Sequence, residues 1–262
     1  MLKAFSRAAM ARPRSRPQPS WSLITLHKAG SSYVAGIIAK IFASNGYEKV
    51  DLCAAAFRQG VAEVDYVAAH KSEITGQGRL FGPFRADTAG LVGLIDGIRP
   101  IVHVRDIRDC IVSNFFSVAY SHRLPGDGEV RERFIEARQR LQEGSIERYV
   151  EDVIEGDALF ARIGVLREIC EKRPDAVLSR YEEMVTDFPR WLDALVAAVG
   201  LNIPDRLRGD LVAEARFDVS EDKFRHKRQV VPGDFRRKLA PEMQARLTEK
   251  YRADLTYFGY AL

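Results

Sequence analysis

Near the start of this chain, an apolar run breaks into a short polar turn and then into a helical pattern. The run covers residues 23–26, the turn contains Lys28 and Gly30, and apolar residues at helical spacing follow Ser32. Such a turn leaves unpaired backbone N–H groups at the start of the helix, where the helix dipole also favours an anion. Glycine lets the backbone close around a phosphate, and lysine adds a cation. The segment predicts a strand, a phosphate-binding loop and a helix, with an ordinary strand–helix turn as the alternative.

The loop differs from the one that binds nucleoside triphosphates, which reads G-x-x-x-x-G-K-[ST] with the lysine after the second glycine. Here Lys28 precedes Gly30, and no glycine stands upstream. The hydroxyls of Ser31 and Ser32 are able to donate to phosphate oxygens. A P-loop kinase-like phosphotransferase therefore stays an alternative, and the position of the lysine argues against it.

A second strand pattern, residues 101–104, runs directly into a segment with two arginines. Open α/β sheets bind ligands at the carboxyl ends of their strands. Arg105 stands at that end and Ser113 lies a turn into the following helix, so we expect both to converge on one phosphate. Asp106 or Asp109 is expected to cap the helix. A surface cluster of arginine and aspartate is the alternative.

Together, the two segments resemble the sulfotransferases that use 3′-phosphoadenosine 5′-phosphosulfate (PAPS). In that family the first loop reads approximately P-K-[ST]-G-[ST]-[ST]-[WY], and the second approximately R-[DN]-P-R-D-x-x-x-S. This chain has H-K-A-G-S-S-Y over residues 27–33 and R-D-I-R-D-C-I-V-S over residues 105–113. His27 and Ile107 stand where the family has proline, and neither difference removes a ligand.

Two later segments are similar to the same family and occur in the family's order. Residues 177–184 read V-L-S-R-Y-E-E-M, like the family's strand followed by R-Y-E-D-[LM]. Residues 228–236 read R-Q-V-V-P-G-D-F-R, like R-K-G-x-x-G-D-W-K, with Val230 in place of a glycine. The resemblance covers most of the chain from Trp21 onward, so we expect a single α/β domain over residues 21–262.

The resemblance implies an α/β, three-layer P-loop-like fold with a mainly parallel central sheet flanked by helices. It implies PAPS as cofactor and, as acceptor, a hydroxyl or amine of a small molecule, lipid or carbohydrate. The implied cofactor-binding residues are Lys28, Ala29, Gly30, Ser31, Ser32, Tyr33, Arg105, Ser113 and Arg228. Lys28 is also assigned to catalysis, because a cation at the leaving oxygen stabilises developing negative charge without a metal.

The base that takes the acceptor's proton is harder to assign. Cytosolic members of the family use a histidine in a K-[ST]-H-L-P segment, and the corresponding residues 80–85 contain none. We assign His70, upstream in a polar region, because the pKa of histidine lies near neutrality; a surface histidine is the alternative. The rival acids are Glu48, Asp51 and Glu73.

The other four histidines have weaker claims to that role. His103 lies inside an apolar strand, where a core histidine is expected. His27 adjoins the loop, and a histidine in that position more often packs beneath the loop than faces the acceptor. His122 and His226 flank loops, and the sequence does not rank them.

Composition limits the remaining classes of protein. The 262 residues carry a net charge of +4, and the three cysteines are too far apart for a disulfide framework or a zinc site, which favours a cytoplasmic location. No apolar run reaches the roughly 18 residues that a membrane-spanning helix needs. Residues 1–20 are basic and proline-containing, and predict a disordered arm. The last alternative is a non-enzymatic module that binds nucleic acid or anionic membrane through this arm. The sulfotransferase hypothesis, by contrast, implies no nucleic-acid partner.

The spacing of apolar residues predicts the elements between the motifs. We expect a helix over residues 32–44, a short strand over 49–52, loop-rich material over 58–78, a helix over 87–97, two or three helices over 130–171, and a last helix over 241–251.

Overall fold

The computed structural model describes residues 18–74, 77–85, 97–156, 159–215, 217 and 230–262. Residues 1–17 of the predicted basic arm lie outside this part of the chain, as do Arg228, His226 and nearly all of the helix predicted over residues 87–97. Residues 18–20 lead into the sheet, because the N–H groups of Gly78 and Arg99 donate to the carbonyls of Gln18 and Ser20.

A parallel β-sheet forms the centre of the described structure. Its strands are β1 (Trp21–Thr25), β2 (Glu48–Val50), β3 (Arg79–Phe84), β4 (Arg99–Val104) and β5 (Val177–Arg180). They lie in the order β2-β3-β1-β4-β5, and every pair is parallel. The central strand β1 is buried along its whole length, as expected for a parallel sheet covered on both faces. The predicted mainly parallel sheet is confirmed.

The helices connect the strands and cover the sheet. In chain order they are α1 (Ser31–Ser44), α2 (Leu52–Gln59), α3 (Glu63–Ala69), α4 (Ile107–Phe116), α5 (Glu129–Glu143), α6 (Ile146–Gly156), α7 (Ile163–Lys172), α8 (Tyr181–Thr186), α9 (Phe188–Val199), α10 (Asp205–Glu214), α11 (Phe235–Lys238), α12 (Pro241–Lys250) and α13 (Arg252–Tyr257). A short 3₁₀ turn covers Lys71–Glu73, and a π-helical turn, Ser117–Ser121, continues α4.

Two apolar layers pack on the two faces of the sheet. Alternate residues of a strand point to opposite faces. Leu23 accordingly packs with α1 and α9, whereas its neighbour Ile24 packs with α4, α6, α7 and α12. The arrangement is helices, sheet, helices, which confirms the predicted three-layer fold. No helix among the described residues combines the length and the apolar character needed to span a membrane.

The prediction of loop-rich material over residues 58–78 was wrong. This stretch contains the end of α2, the whole of α3 and the 3₁₀ turn. Helix α3 has seven residues, carries Glu63 and Asp65 in its first turn and buries only Val67. A helix with one buried residue has no repeating spacing of apolar residues, so the sequence pattern does not predict it.

We predict that Leu192→Ala destabilises the fold strongly. Leu192 is fully buried between α9 and the sheet, and removing it leaves a cavity that costs about 2–5 kcal/mol in the free energy of unfolding. Leu178→Ala is the matched control, since Leu178 is 40% exposed on β5 and should cost less than about 1 kcal/mol. Urea unfolding of both variants measures the difference. Equal losses would contradict this account of the core.

Candidate functional site

The loop between β1 and α1 turns sharply just beyond the carboxyl end of the central strand. Lys28 and Gly30 have left-handed φ angles of +68° and +75°. A Cβ at Gly30 would lie 3.0 Å from the ring of Tyr181, so both φ and space require glycine there. Helix α1 begins at Ser31 and has no side-chain cap. The N–H groups of Tyr33 and Val34 donate to the carbonyl of Gly30, so those of Ser31 and Ser32 are the helical donors left for an anion, as predicted for an anion-binding turn.

Strand β4 holds this loop through two carbonyl groups. His103 Nε2 donates to the carbonyl of Ala29 at 3.0 Å, and Arg105 Nη1 donates to the carbonyl of Lys28 at 3.0 Å. His103 and Arg105 are two residues apart, so their side chains leave the same face of the strand. Consecutive carbonyls of the loop are thus turned toward β4.

Arg105 is the most constrained cation of the site. Only 4% of the residue is exposed, and its guanidinium lies 4.3 Å above the ring of Tyr181. Its Nη2 is 3.6 Å from Asp109 Oδ2, whereas its Nε has no hydrogen-bond partner within the described structure. A buried donor without an acceptor is costly. An anion bound beside the loop would supply that acceptor.

His103 is a neutral core histidine, which confirms the expectation for this residue. Burial lowers its pKa from 6.5 to about 4. Its Nδ1 lies 2.9 Å from Ser179 Oγ, which also accepts from Trp191 Nε1 at 2.9 Å. All three side chains are buried.

A C-terminal segment reaches the same end of the sheet. The N–H groups of Gly233 and Phe235 donate to the Asp109 carboxylate at 2.8 and 3.0 Å. The Tyr181 hydroxyl donates to the carbonyl of Val230 at 3.0 Å. The predicted ligand Arg228 precedes Val230 by two residues and lies outside the described residues.

Of the two predicted caps for α4, Asp106 is the one observed. Its Oδ1 accepts from the N–H of Arg108 at 3.0 Å. The second arginine of the motif has a structural role, because Arg108 pairs with Asp106 at 2.7 Å and donates to the carbonyl of Ala261. Ser113 lies on α4 with its side chain partly exposed.

On its other side, the loop contacts the π-helical turn. Lys28 Nζ donates to Ser117 Oγ at 2.8 Å, and Ser117 Oγ lies 3.3 Å from His122 Nδ1. The His122 ring stacks on Phe134 with 5.2 Å between centroids and meets the edge of Phe57 at 6.1 Å. The sequence did not rank His122, and the fold places it two hydrogen bonds from Lys28.

Further cations surround the loop. Arg85 Nε donates to Ser31 Oγ at 2.9 Å. Burial, followed by the positive charges of Arg85, Arg162 and Lys28, lowers the pKa of His27 from 6.5 to about 3. His27 is therefore neutral. Arg85 was not among the predicted site residues, although it directly follows strand β3, as Arg105 follows β4.

Of the other predicted cofactor residues, Ser32 is exposed at the start of α1. Tyr33 is partly buried, and its ring packs edge-on against Phe217 with 5.5 Å between centroids. Both follow the loop directly in the chain.

The predicted base His70 lies at the carboxyl end of α3. Its ring stacks on Tyr66 at 3.9 Å, and its Nδ1 donates to the Tyr66 carbonyl at 2.7 Å. The opposite end of this helix faces the loop, because Glu63 accepts from the N–H of Arg85 at 2.8 Å. Within the described part of the chain, these contacts connect His70 to Tyr66 and not to Lys28.

The rival acids have other partners. Asp51 caps α2 and pairs with Lys49 at 2.9 Å, and Glu48 pairs with Arg79 at 3.4 Å. Glu73 lies in the 3₁₀ turn. Among the residues that the structure describes, no three His, Cys, Asp or Glu side chains group as they would around a metal ion.

Comparison with known proteins agrees with this architecture. No protein-family model matches the sequence, and no curated protein does. Among solved structures, the chain is similar to mouse sulfotransferase SULT7A1 complexed with PAP, with a TM-score of 0.64 and 16% identity over 90% of this chain and 84% of that one. Two structures of retinol dehydratase, with retinol and PAP and with androsterone and PAP, give TM-scores of 0.48 and 0.49 at 12% identity. They cover 91% and 90% of this chain, and 82% and 80% of their own.

The similarity to the mouse structure establishes the fold. The described part of the chain has a sulfotransferase-type α/β architecture, with its parallel sheet between two helical layers. The retinol dehydratase structures are too distant to add to this conclusion.

Proposed function

We propose that this protein is a sulfotransferase that moves a sulfuryl group from PAPS to a hydroxyl or amine. The observation that carries the proposal is Arg105, a buried arginine that donates from Nη1 to the loop carbonyl of Lys28 and whose Nε has no acceptor among the described residues. A guanidinium and backbone N–H groups are the donors that phosphates prefer. The sulfotransferase-type fold and the PAP complex of the mouse structure support the same choice.

The residues present fit a nucleotide with two separate phosphate positions. The loop over Lys28–Ser32 would hold the 5′ side, and Arg105, Ser113 and Arg228 would hold the 3′-phosphate. Gly30 leaves room that a side chain would fill, since its Cβ would press on Tyr181. When bound, PAPS supplies the sulfuryl group and the phosphate from which it departs.

Lys28 is the residue we assign to the leaving oxygen. Its ammonium rises from a strained, left-handed backbone position and is partly buried against Ser117. A fixed cation in such a place offsets negative charge that grows during transfer. Two other cations, Arg85 and Arg105, contact the loop itself.

For the base, the contacts favour His122 over the predicted His70. His122 is connected to Lys28 through Ser117, and the aromatic rings of Phe57 and Phe134 flank it. Its position is that of a group able to accept a proton from an acceptor next to Lys28. We propose a small molecule as the acceptor, with an apolar body that packs on those rings; lipid and carbohydrate acceptors remain the alternatives.

The cysteines fit the proposed cytoplasmic location. All three are unpaired, and Cys53 and Cys110 are buried. Burial raises the pKa of both thiols, so they are poor nucleophiles at neutral pH. Free thiols are typical of a reducing compartment.

We predict that the protein binds PAP without a divalent metal. The sites for its phosphates are arginine side chains and backbone N–H groups, and neither requires Mg²⁺. Arg105→Ala should weaken binding by roughly 1.5–3 kcal/mol, because it removes a charge-assisted contact. Calorimetry with PAP, and with ATP plus Mg²⁺, measures both. Binding restricted to ATP with Mg²⁺ would favour the phosphotransferase alternative.

A second prediction separates the role of Lys28 in turnover from its role in affinity. Lys28→Ala should lower the single-turnover rate by about a hundred- to a thousandfold and change PAP affinity much less. Lys28→Met, whose side chain has a similar length and no charge, should lower the single-turnover rate almost as much. The measurement is single-turnover transfer at saturating PAPS with an acceptor found by screening. Near-normal rates in either variant would remove Lys28 from the mechanism.

A third prediction distinguishes the two histidines. His122→Gln should lower the transfer rate by roughly a hundredfold or more and leave PAP affinity unchanged. His70→Gln is the matched control and should retain most of the rate. The opposite pattern, with His70→Gln inactive and His122→Gln active, would restore the sequence-based assignment.

A further inference from the structure

His103 is a buried polar residue that the proposed reaction does not use. It is the last residue but one of the apolar strand β4, where an aliphatic side chain would satisfy the packing on its own. Its ring is fully enclosed and cannot reach an acceptor. Both of its nitrogens nevertheless form hydrogen bonds: Nδ1 with Ser179 Oγ at 2.9 Å, and Nε2 with the carbonyl of Ala29 at 3.0 Å.

The hydrogen bonds form a chain with one direction. The indole N–H of Trp191 can only donate, so Ser179 Oγ accepts from it. The Ser179 hydroxyl then donates its own hydrogen to Nδ1 of His103. Because the ring is neutral, its single hydrogen lies on Nε2 and points at the carbonyl of Ala29. The network itself thus assigns the tautomer.

The bond to Ala29 determines where the next N–H group points. In a planar trans peptide, the C=O and the following N–H point in opposite directions. Holding the Ala29 carbonyl against His103 therefore aims the N–H of Gly30 away from β4. Gly30 directly precedes α1, whose N-terminus has no side-chain cap, so this N–H is available to the same anion as the first N–H groups of the helix.

We propose that His103 is a positioning residue that fixes the Ala29–Gly30 peptide in the anion-binding orientation. The inference rests on the proposed function for the identity of the anion. Gly30 permits many backbone conformations. Without a donor at His103, this peptide can rotate to expose its carbonyl, and the loop then presents an oxygen where the anion needs a hydrogen.

Three substitutions separate this role from packing. In His103→Gln, the amide nitrogen occupies the place of Nε2 and keeps the bond to Ala29. In His103→Asn, the amide reaches only the place of Nδ1 and keeps the contact with Ser179. His103→Leu keeps neither. All three alter the core, so a purely structural role would reduce binding in step with thermal stability.

The experiment measures PAP affinity by calorimetry and melting temperature for the wild type and the three variants. We expect His103→Gln to bind within about threefold of the wild type, and His103→Asn and His103→Leu to bind roughly tenfold or more weakly. Affinity should follow the bond to Ala29 and not the melting temperature. Wild-type affinity in His103→Asn and His103→Leu would overturn the proposal, as would affinities that simply track stability.

A second measurement does not depend on PAP. The ¹⁵N spectrum of the free protein should show His103 protonated at Nε2 and neutral above a pH of about 4. Ser179→Ala removes the donor to Nδ1 and should leave His103 protonated at Nε2, because the Ala29 carbonyl can only accept. A wild-type ring protonated at Nδ1 would overturn the proposal even if the variants fold poorly. If the wild type does not bind PAP but His103 is protonated at Nε2, the proposed function is contradicted. The positioning role of His103 toward Ala29 is then still supported.

Discussion

The site depends on the contact between strand β4 and the loop that follows β1. The two strands are adjacent and parallel, with Thr25 paired to His103, so the loop begins one residue before β4 ends. Side chains from the end of β4 can therefore reach sideways into the loop. His103 in β4 and Arg105 directly after it do so on the same side and bind two consecutive carbonyls. The conformation of the loop is thus set by its neighbour in the sheet as well as by its own glycine.

Electrostatics at this end of the sheet point to an anion. Cations approach the loop from separate elements: Lys28 within it, Arg85 after β3 and Arg105 after β4. After burial, the charges of Arg85 and Lys28 contribute to the low pKa of His27. Assembling like charges costs free energy that a bound polyanion offsets, and the left-handed backbone of Lys28 adds strain of the kind found at functional sites.

The parts of the site that the sequence predicted are those with a local signal. Lys28 and Gly30 lie between a strand pattern and a helix pattern, and Arg105 lies at the end of an apolar run. The parts of the site that could not be predicted depend on contacts between segments that are far apart in the sequence. The bond of Asp109 to the N–H groups of Gly233 and Phe235 joins residues more than a hundred positions apart. His122 likewise has no periodic pattern around it and becomes relevant only because a π-helical turn carries it beside Ser117.

The hydrogen-bonded chain from Trp191 through Ser179 and His103 to Ala29 gives the molecule an intrinsic fluorescent probe. The chain contains two tryptophans. Trp21 lies under Arg99 at the start of β1, at the opposite end of the sheet from the loop. Trp191 is the first residue of the hydrogen-bonded chain that ends at Ala29. The emission of an indole depends on the polarity around its N–H, so the fluorescence of Trp191 reports on the loop from within the core, without any label at the surface.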